Sequence, residues 1–291
     1  MVKWGTYLLN EISKPLFLVV GIFIVSISPL FMSVEGFVLP SLDVIKRVFE
    51  QMSQPGSLIY INPTSGVERD LFPIVFKAFS SSMSVLGMAL LLSFLVALLG
   101  TILLWRAPEK IYKMFVSSST FLQSIPDVIY VVAAQMLIVW AYQETGVKWV
   151  RLSGAADEEA LVMPALILAI LPTMYFFQSM LELVEEERKE PYFDLATSKG
   201  LTKPVILLKH ILRNMFVRLA YQAKYLISIM VSNLLIVEYL IGNFGMTSFL
   251  LTYSQPPVFF VTAILFFGPI YLFLKMVELA LYISTKQEVS L

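Results

Sequence analysis

The chain has 291 residues, of which 58% are hydrophobic and 14% are charged, and its mean hydropathy is +0.79. A soluble globular protein of this composition would leave too much apolar surface in water, so the composition predicts an integral membrane protein. Basic and acidic residues are balanced at 21 each, which gives no indication of a nucleic-acid partner. The absence of cysteine excludes disulfides, thiolate metal ligands and a cysteine nucleophile.

The sequence of residues 1–84 predicts one membrane span followed by a polar segment. The apolar run at residues 15–34 is as long as a bilayer core requires, and we expect it to be a retained transmembrane helix. Within residues 35–72, apolar residues fall on one helical face behind Ser41 as the N-cap, which predicts a short amphipathic helix lying against the membrane or the protein. These residues are Leu42, Ile45, Val48, Phe49 and Met52.

Residues 85–284 predict five further spans, and residues 285–291 form a tail. The predicted spans are residues 85–104, 115–142, 161–181, 215–237 and 258–283. Glycine and proline breaks at residues 242–245 and 255–257 predict an outer loop or re-entrant segment before the last span.

Two ionisable residues fall within these spans, where a charged group is costly. Asp127 follows Pro126 in the third span, and it either lines a pathway or faces water at the helix mouth. Lys224 in the fifth span is expected to pair with a carboxylate or to face a water-filled cavity.

The segment at residues 185–214, here called the central segment, lies between the fourth and fifth spans and is too polar to cross a bilayer. Residues 192–198 predict a short helix, and Gly200 is suited to a sharp turn. A second helix is predicted after Thr202 as N-cap, with Pro204 in its first turn. An apolar stripe with helical spacing supports it: Leu201, Val205, Leu208 and Leu212.

Basic residues are distributed unevenly between the two sides of a six-span chain. The side that holds both termini and the central segment has thirteen: Lys3, Lys14, Arg106, Lys110, Lys113, Arg188, Lys189, Lys199, Lys203, Lys209, Arg213, Arg218 and Lys286. The other side has six: Lys46, Arg47, Arg69, Lys77, Lys148 and Arg151. The positive-inside rule therefore predicts that the termini and the central segment are cytoplasmic.

Sequence motifs for several kinds of chemistry are missing. The sequence has no G-x-x-x-x-G-K-[ST] phosphate loop, so we do not expect this chain to hydrolyse ATP itself. His210 is the sole histidine of the sequence, which excludes a multi-histidine zinc site, and neither H-E-x-x-H nor G-x-S-x-G occurs. His210 is expected to pack and form hydrogen bonds within the central segment.

The central segment resembles the ATPase-contacting loop of ABC importer permeases. That loop reads E-A-A, three residues and Gly, and its places are taken here by Asp194, Leu195, Ala196 and Gly200. The oligopeptide, dipeptide and nickel branch reads Y-x-x-x-A-R-A-K-G-L, matched by Tyr192, Ala196, Lys199, Gly200 and Leu201. The H-x-L-R-N ending of that branch is matched by His210, Leu212, Arg213 and Asn214.

The resemblance implies an all-α integral membrane protein with six transmembrane helices of the type I ABC importer permease kind. N and C termini would be cytoplasmic, with a cytoplasmic coupling-helix loop between helices 4 and 5. Residues 1–84 would be an N-terminal helix with an extracytoplasmic segment, and residues 85–284 a five-helix permease core. The resemblance further implies that the coupling residues are Asp194, Ala196, Lys199, Gly200, Leu201, His210, Leu212, Arg213 and Asn214.

Such a subunit is not an enzyme and holds no cofactor, because ATP is bound by its partners. The implied partners are a second homologous permease, two cytoplasmic ABC ATPase subunits, an extracytoplasmic substrate-binding protein and membrane lipid. The implied location is a bacterial-type cell membrane, crossed in multiple passes, and the implied function is uptake of peptides or a similar small solute.

The chain departs from the family pattern at several positions. The family's E-x-x-F-x-x-P-G-x-G element is matched by Glu238 and Gly245, so these two join Asp127 and Lys224 as possible pathway or gating residues. The other positions of that element differ, with Ile241, Phe244 and Thr247 in place of the family residues. Asp194 replaces the usual basic residue of the peptide branch, and Ser198 replaces an alanine.

Two other function classes stay open on the sequence. A secondary transporter or channel that needs no ATPase would use an ion or proton relay of Asp127, Lys224, Glu238 and Lys275. A scaffold subunit would recruit partners to the membrane without transporting a solute. Copurification with ATPase subunits would separate the importer from a free-standing carrier.

Overall fold

The computed structural model describes residues 2–33, 36–61, 66–105, 107–148 and 160–285. Within these ranges the helices are α1 (Val2–Ile27), α2 (Leu42–Ser53), α3 (Ile74–Leu104), α4 (Glu109–Gln123), α5 (Asp127–Thr145), α6 (Val162–Glu187), α7 (Pro191–Ser198), α8 (Lys203–Ile206), α9 (Leu212–Ile241), α10 (Met246–Thr252) and α11 (Pro256–Thr285). A π-helical turn, Leu207–Ile211, joins α8 to α9. Two antiparallel strand pairs are β1 (Met32–Ser33) with β2 (Gly36–Phe37), and β3 (Ile59–Ile61) with β4 (Glu68–Asp70).

Six helical segments in the described part of the chain are long and apolar enough to cross a membrane. They are Ser13–Phe31, Ile74–Leu104, Asp127–Thr145, Val162–Glu187, Lys224–Ile241 and Pro256–Ile283. The predicted fold class, an all-α membrane protein with six transmembrane helices, is therefore confirmed. The helix α10 occupies the place of the predicted outer segment, between the breaks that precede and follow it.

The predicted third span is wrong in its bounds. Residues 115–142 form parts of two helices, because α4 ends at Gln123 and α5 begins at Asp127. Pro126 explains the break, since it has no N–H to donate and disfavours helical geometry at the residue before it. The first span also differs from the prediction: Pro15 lies inside α1 rather than at its start, and Val34 lies outside the described residues.

The chain divides into two compact units, Met1–Ser80 with Gly245–Leu272, and Ser81–Phe244 with Phe273–Leu291. The division predicted from sequence, at residues 84 and 284, stays a prediction. Residues 286–291 of its tail lie outside the described residues.

In the first of these units, aromatic side chains form a small core. The Tyr60 ring packs edge-on against Phe249 and Tyr253, with centroid distances of 5.7 Å and 4.6 Å. The predicted amphipathic helix is present as α2, which follows Ser41 at the N-cap. Its Val48 and Met52 are buried.

The second unit is built around α6 and α9. Buried side chains of both helices belong to one apolar cluster: Phe176, Phe177, Met180, Leu181, Leu183, Val184, Met215, Leu219 and Leu226. The helix α3 packs against α6 at Gly100, where an added Cβ would lie 3.2 Å from Cε2 of Phe177. Close helix packing of this kind in membranes favours small residues at the contact.

This contact predicts different outcomes for two glycines of α3. Gly100→Leu should lower the stability of the second unit by about 1–3 kcal/mol, because the added side chain overpacks the contact with Phe177. Gly87→Leu is the matched control, since a Cβ at Gly87 has no neighbour within 4 Å. The measurement is thermal unfolding of the purified full chain in one detergent. Equal melting temperatures for the two variants would contradict the assigned contact.

Candidate functional site

The central segment folds as a helix, a glycine turn and a second helix, as the sequence predicts. After α7 the chain turns at Gly200, whose φ is +77°. Leu201 N–H donates to the carbonyl of Ala196 at 3.3 Å, and Gly200 N–H donates to that of Thr197 at 2.9 Å. This pair of bonds is a Schellman motif, which satisfies the carbonyls left over at a helix C-terminus and requires a left-handed residue. Glycine is therefore needed at position 200 because the backbone there is left-handed, and not because a side chain would meet a neighbouring atom.

One face of the central segment is buried in the apolar cluster of α6 and α9. Its buried residues are Ala196, Ile206, Leu207 and Ile211. Tyr192 and Phe193 of α7 are partly buried against the same cluster, and the Phe193 ring lies 6.3 Å from that of Trp105. Although its composition is polar, the segment is thus anchored in the core of its unit.

The opposite face of the central segment exposes apolar side chains. Leu195 is 58% exposed and Leu208 is 50% exposed, and Leu201 and Val205 are also exposed. These four residues are called the apolar patch below. The predicted stripe of Leu201, Val205 and Leu208 therefore faces away from this chain's core, and Leu212 is half-buried.

Acidic residues at the end of α6 connect it to the segments that follow. The Tyr192 hydroxyl donates a hydrogen bond to the buried carboxylate of Glu187. Arg218 of α9 forms an ion pair with Glu186. Burial raises the pKa of the nearby Tyr112 hydroxyl above its ordinary value, and the Glu185 carboxylate raises it further. The hydrogen bond links α6 to α7, and the exposed ion pair links α6 to α9.

The remaining predicted coupling residues are distributed over both faces. Asp194 and Lys199 are exposed, whereas His210 is half-buried with its ring 6.4 Å from that of Tyr192. The side chains of Arg213 and Asn214 lie outside the described ones.

The predicted pathway residues do not form a single group. Glu238 is fully buried, and its carboxylate accepts a hydrogen bond of 2.5 Å from Ser82 Oγ. Lys224 is exposed on the same helix, and fourteen residues of α-helix separate the two by roughly 21 Å. Gly245 stands at the N-cap of α10, which belongs to the other unit.

Asp127, the fourth predicted pathway residue, lies at the start of α5 and lines an open cavity of about 520 Å³. The cavity is bounded by the α4–α5 junction, α6 and α9. Sequence reasoning missed its other polar residues, among them Tyr175, Tyr225 and Asn233, and it missed Asn243, which donates to Ser81 Oγ at 3.3 Å. Their presence in apolar spans was the available signal, because polar groups in membrane helices tend to face cavities or partners.

Six apolar spans, a folded polar segment between the fourth and fifth, and a polar cavity lined by span residues are features of a polytopic membrane permease. Residues 97–281, well over half of the chain, match the family model of the binding-protein-dependent transport system inner membrane component. The chain therefore belongs to this family, the type I permease subunits of ABC importers. A search of curated proteins finds no significant match.

The glycine turn generates a prediction. Gly200→Val should destabilise the turn by about 1–2 kcal/mol, because a left-handed conformation is unfavourable for a residue with a branched Cβ. Gly200→Asn should have a smaller effect, since asparagine adopts that conformation more readily. The measurement is hydrogen exchange at the amides of residues 200 and 201 in the full chain. Exchange should be about tenfold faster in the valine variant than in the natural chain. Equal exchange in the two variants would show that the turn does not depend on backbone conformation.

Proposed function

We propose that this permease subunit serves a peptide-type importer and that the central segment is its contact with the ATPase subunits. The observation that carries the proposal is the apolar patch of Leu195, Leu201, Val205 and Leu208, which is exposed although the opposite face of the same segment is buried. Exposed apolar groups rimmed by polar residues are typical of a protein contact surface. Asp194 and Lys199 supply such a rim.

The proposed coupling residues then have distinct roles. Asp194, Lys199, Gly200 and Leu201 would contact the ATPase. Ala196, His210 and Leu212 would support them from within the unit, and the matches at Arg213 and Asn214 extend the coupling motif into α9.

Motion of the ATPase subunits would reach the spans through the core of the second unit. The central segment shares its buried cluster with α6 and α9, and close-packed interiors transmit displacement rather than absorb it. ATP binding by the partners would close their dimer and displace α7, and the displacement would pass to α6 and α9. Alternating access to the solute follows if the two ATPase states make different contacts with the patch.

The proposal includes a full set of partners and a location. A second homologous permease would complete the pathway, two ATPase subunits would bind ATP, and an extracytoplasmic binding protein would deliver the solute. The permease itself would need no cofactor. The excess of basic residues beside the central segment supports a cytoplasmic position for it, in a bacterial-type cell membrane.

Peptides or a similar small solute are the proposed cargo, on the grounds of the peptide-branch residues in α7 and its turn. Family membership favours an importer over an ATPase-independent carrier and over a scaffold. The separation of Lys224 from Glu238 along α9 gives the relay of that carrier no support.

The contact role predicts that the apolar patch binds the ATPase. Replacing both Leu195 and Leu208 with serine should weaken ATPase binding about tenfold or more, because burying a leucine side chain contributes about 1.5–3 kcal/mol. The measurement is a titration of purified ATPase subunits onto the permease in nanodiscs. Leu42→Ser is the matched control, since Leu42 is an 83% exposed leucine of α2.

The serine variants should also reduce ATP-dependent uptake by the assembled complex while leaving the melting temperature of the permease unchanged. Unchanged ATPase binding in the double variant would overturn the contact role. Purification of the transport-active protein without any ATPase subunit would instead support the free-standing carrier.

The orientation yields a separate prediction. A cysteine placed at the exposed Ser198 of α7 should react with a membrane-impermeant maleimide only from the cytoplasmic side, because the proposed orientation places α7 there. The natural chain has no cysteine, so the introduced thiol alone is labelled. A cysteine at the exposed Ser57, between the first and second spans, should react from the opposite side. The measurement compares intact cells with inside-out vesicles. Reaction of the Ser198 variant in intact cells would reverse the proposed orientation.

A further inference from the structure

The cavity beside Asp127 has the features of a ligand site. Its volume of about 520 Å³ falls in the range of small-molecule pockets. Residues of α4, α5, α6 and α9 line it, and the last three of these helices contain the third, fourth and fifth candidate spans. Polar side chains from spans are costly in lipid, so their convergence on one open cavity indicates a place for water or a polar solute.

The polar lining includes three serine oxygens that are available as acceptors, beside the amide nitrogen of Gln123, which has no hydrogen-bond partner. Ser228 Oγ donates to the carbonyl of Lys224 at 2.8 Å, and Ser232 Oγ donates to that of Ser228 at 3.0 Å. Ser124 Oγ in the same lining donates to the carbonyl of Phe121 at 2.6 Å. Each hydroxyl hydrogen is thus used on the backbone, and the lone pairs remain as acceptors. These serine oxygens suit a ligand that donates hydrogen bonds.

The charge of the lining is negative. Among the described residues that line the cavity, Asp127 is the one with a formal charge. Lys224 is the nearest basic residue along α9, one turn before Ser228, and it is not part of the lining. A cavity with a carboxylate and low-dielectric walls attracts cations and repels anions.

Two tyrosines and a buried amide complete the cavity. The rings of Tyr175 and Tyr225 are perpendicular, at 88° with centroids 5.9 Å apart, and both residues line the cavity. Tyrosine rings attract cations that lie over their faces. Asn233 is only 9% exposed, yet it lines this cavity and, with Asp127, a smaller one of about 10 Å³.

We propose that this cavity binds the ammonium group of the transported solute. Asp127 is the counter-ion, Ser228 and Ser232 accept hydrogen bonds from the ammonium, and Tyr175 and Tyr225 form an aromatic wall. The inference deepens the proposed function, on which it rests for the statement that the ligand is cargo. It assigns this permease a preference for solutes that carry a free amino group.

A purely structural role for Asp127 makes different predictions. An acidic residue in the first turn of a helix is stabilising by itself, because it complements the positive end of the helix dipole. Asp43 has the same place in α2, and it belongs to the other unit. A structural Asp127 would affect stability as Asp43 does and would give the cavity no preference among ligands.

The test uses the absence of natural cysteine. Ile229 lines the cavity without contributing a polar group, so Ile229→Cys serves as the reporter, and Ser57→Cys serves as an exposed reference thiol. The full chain in nanodiscs is treated with a cationic trimethylammonium methanethiosulfonate and with an anionic sulfonate analogue. The ratio of cationic to anionic reaction rates, relative to the reference thiol, should be raised several-fold at the reporter.

Variants of the counter-ion should change that ratio in a defined order. Asp127→Asn should lower it several-fold, whereas Asp127→Glu and the control Asp43→Asn should leave it raised. A ratio that does not respond to Asp127→Asn, or a reporter that neither reagent reaches, would overturn the proposal. Should Asp127→Asn fail to fold, the proposal is tested by the rate ratio at Ile229→Cys with Asp127 intact and by the protection experiment below.

The protection experiment identifies the ligand. Alanyl-alanine should slow labelling of the reporter several-fold, and N-acetyl-alanyl-alanine, which lacks the ammonium, should not. Equal effects of the two probes would overturn the proposal. The same experiment is run in nanodiscs of phosphatidylethanolamine and in nanodiscs of phosphatidylglycerol. If phosphatidylethanolamine slows labelling and the dipeptide has no effect in phosphatidylglycerol, the cavity binds a lipid headgroup, and the proposal is overturned.

These readouts need neither ATP nor partner subunits, so they are independent of the proposed function. Loss of ATPase binding with charge selectivity intact would remove the importer role and leave the cation site. Loss of charge selectivity with ATPase binding intact would remove the cation site alone.

Discussion

The structure of the second unit depends on the joint burial of α6, the central segment and α9 in one apolar cluster. Phe176 and Met180 of α6, Ala196 of α7 and Met215 of α9 belong to it, together with Ile211 of the π-helical turn. A segment whose composition is polar would otherwise have no reason to hold a fixed position beside the membrane. Because this burial uses one face of the segment, the apolar patch on the other face stays exposed.

A second constraint acts on the polar groups of the spans, because hydrocarbon offers them no hydrogen-bond partners. They must therefore find partners within the protein or in water. Glu238 accepts a hydrogen bond from the Ser82 hydroxyl, and Asn243 donates one to Ser81. One end of the unit therefore has an internal polar cluster. The serines of α9 satisfy their own hydrogens on the helix backbone. What differs between the two places is access: the Glu238 cluster is closed, whereas the groups around Asp127 meet an open cavity.

The sequence alone predicts the spans and the glycine turn well, because both depend on local properties. A long apolar run in a membrane protein has few alternatives to a membrane-spanning helix. Gly200 directly precedes the residues whose apolar side chains recur at helical spacing, so a turn is expected there. Pro126 lies within the predicted third span without dividing it there, since proline also occurs inside membrane helices such as α6 at Pro172. The segment is apolar on two faces, so periodicity could not tell the exposed Leu208 from the buried Ile211. The cavity combines residues from four helices, and no local pattern links Tyr175 to Asn233.

The π-helical turn at Leu207–Ile211 has a consequence for everything downstream. The amide of Leu212 reaches back five residues to the carbonyl of Leu207, so the turn contains one residue more than an α-helix would use. Each residue advances an α-helix by about 100°, and the extra one therefore sets the rotational phase of α9 relative to α8. With that phase, Met215 points into the core and Ser228 and Ser232 reach the cavity. The extra residue thus sets which side of α9 lines the cavity without changing which face α8 exposes.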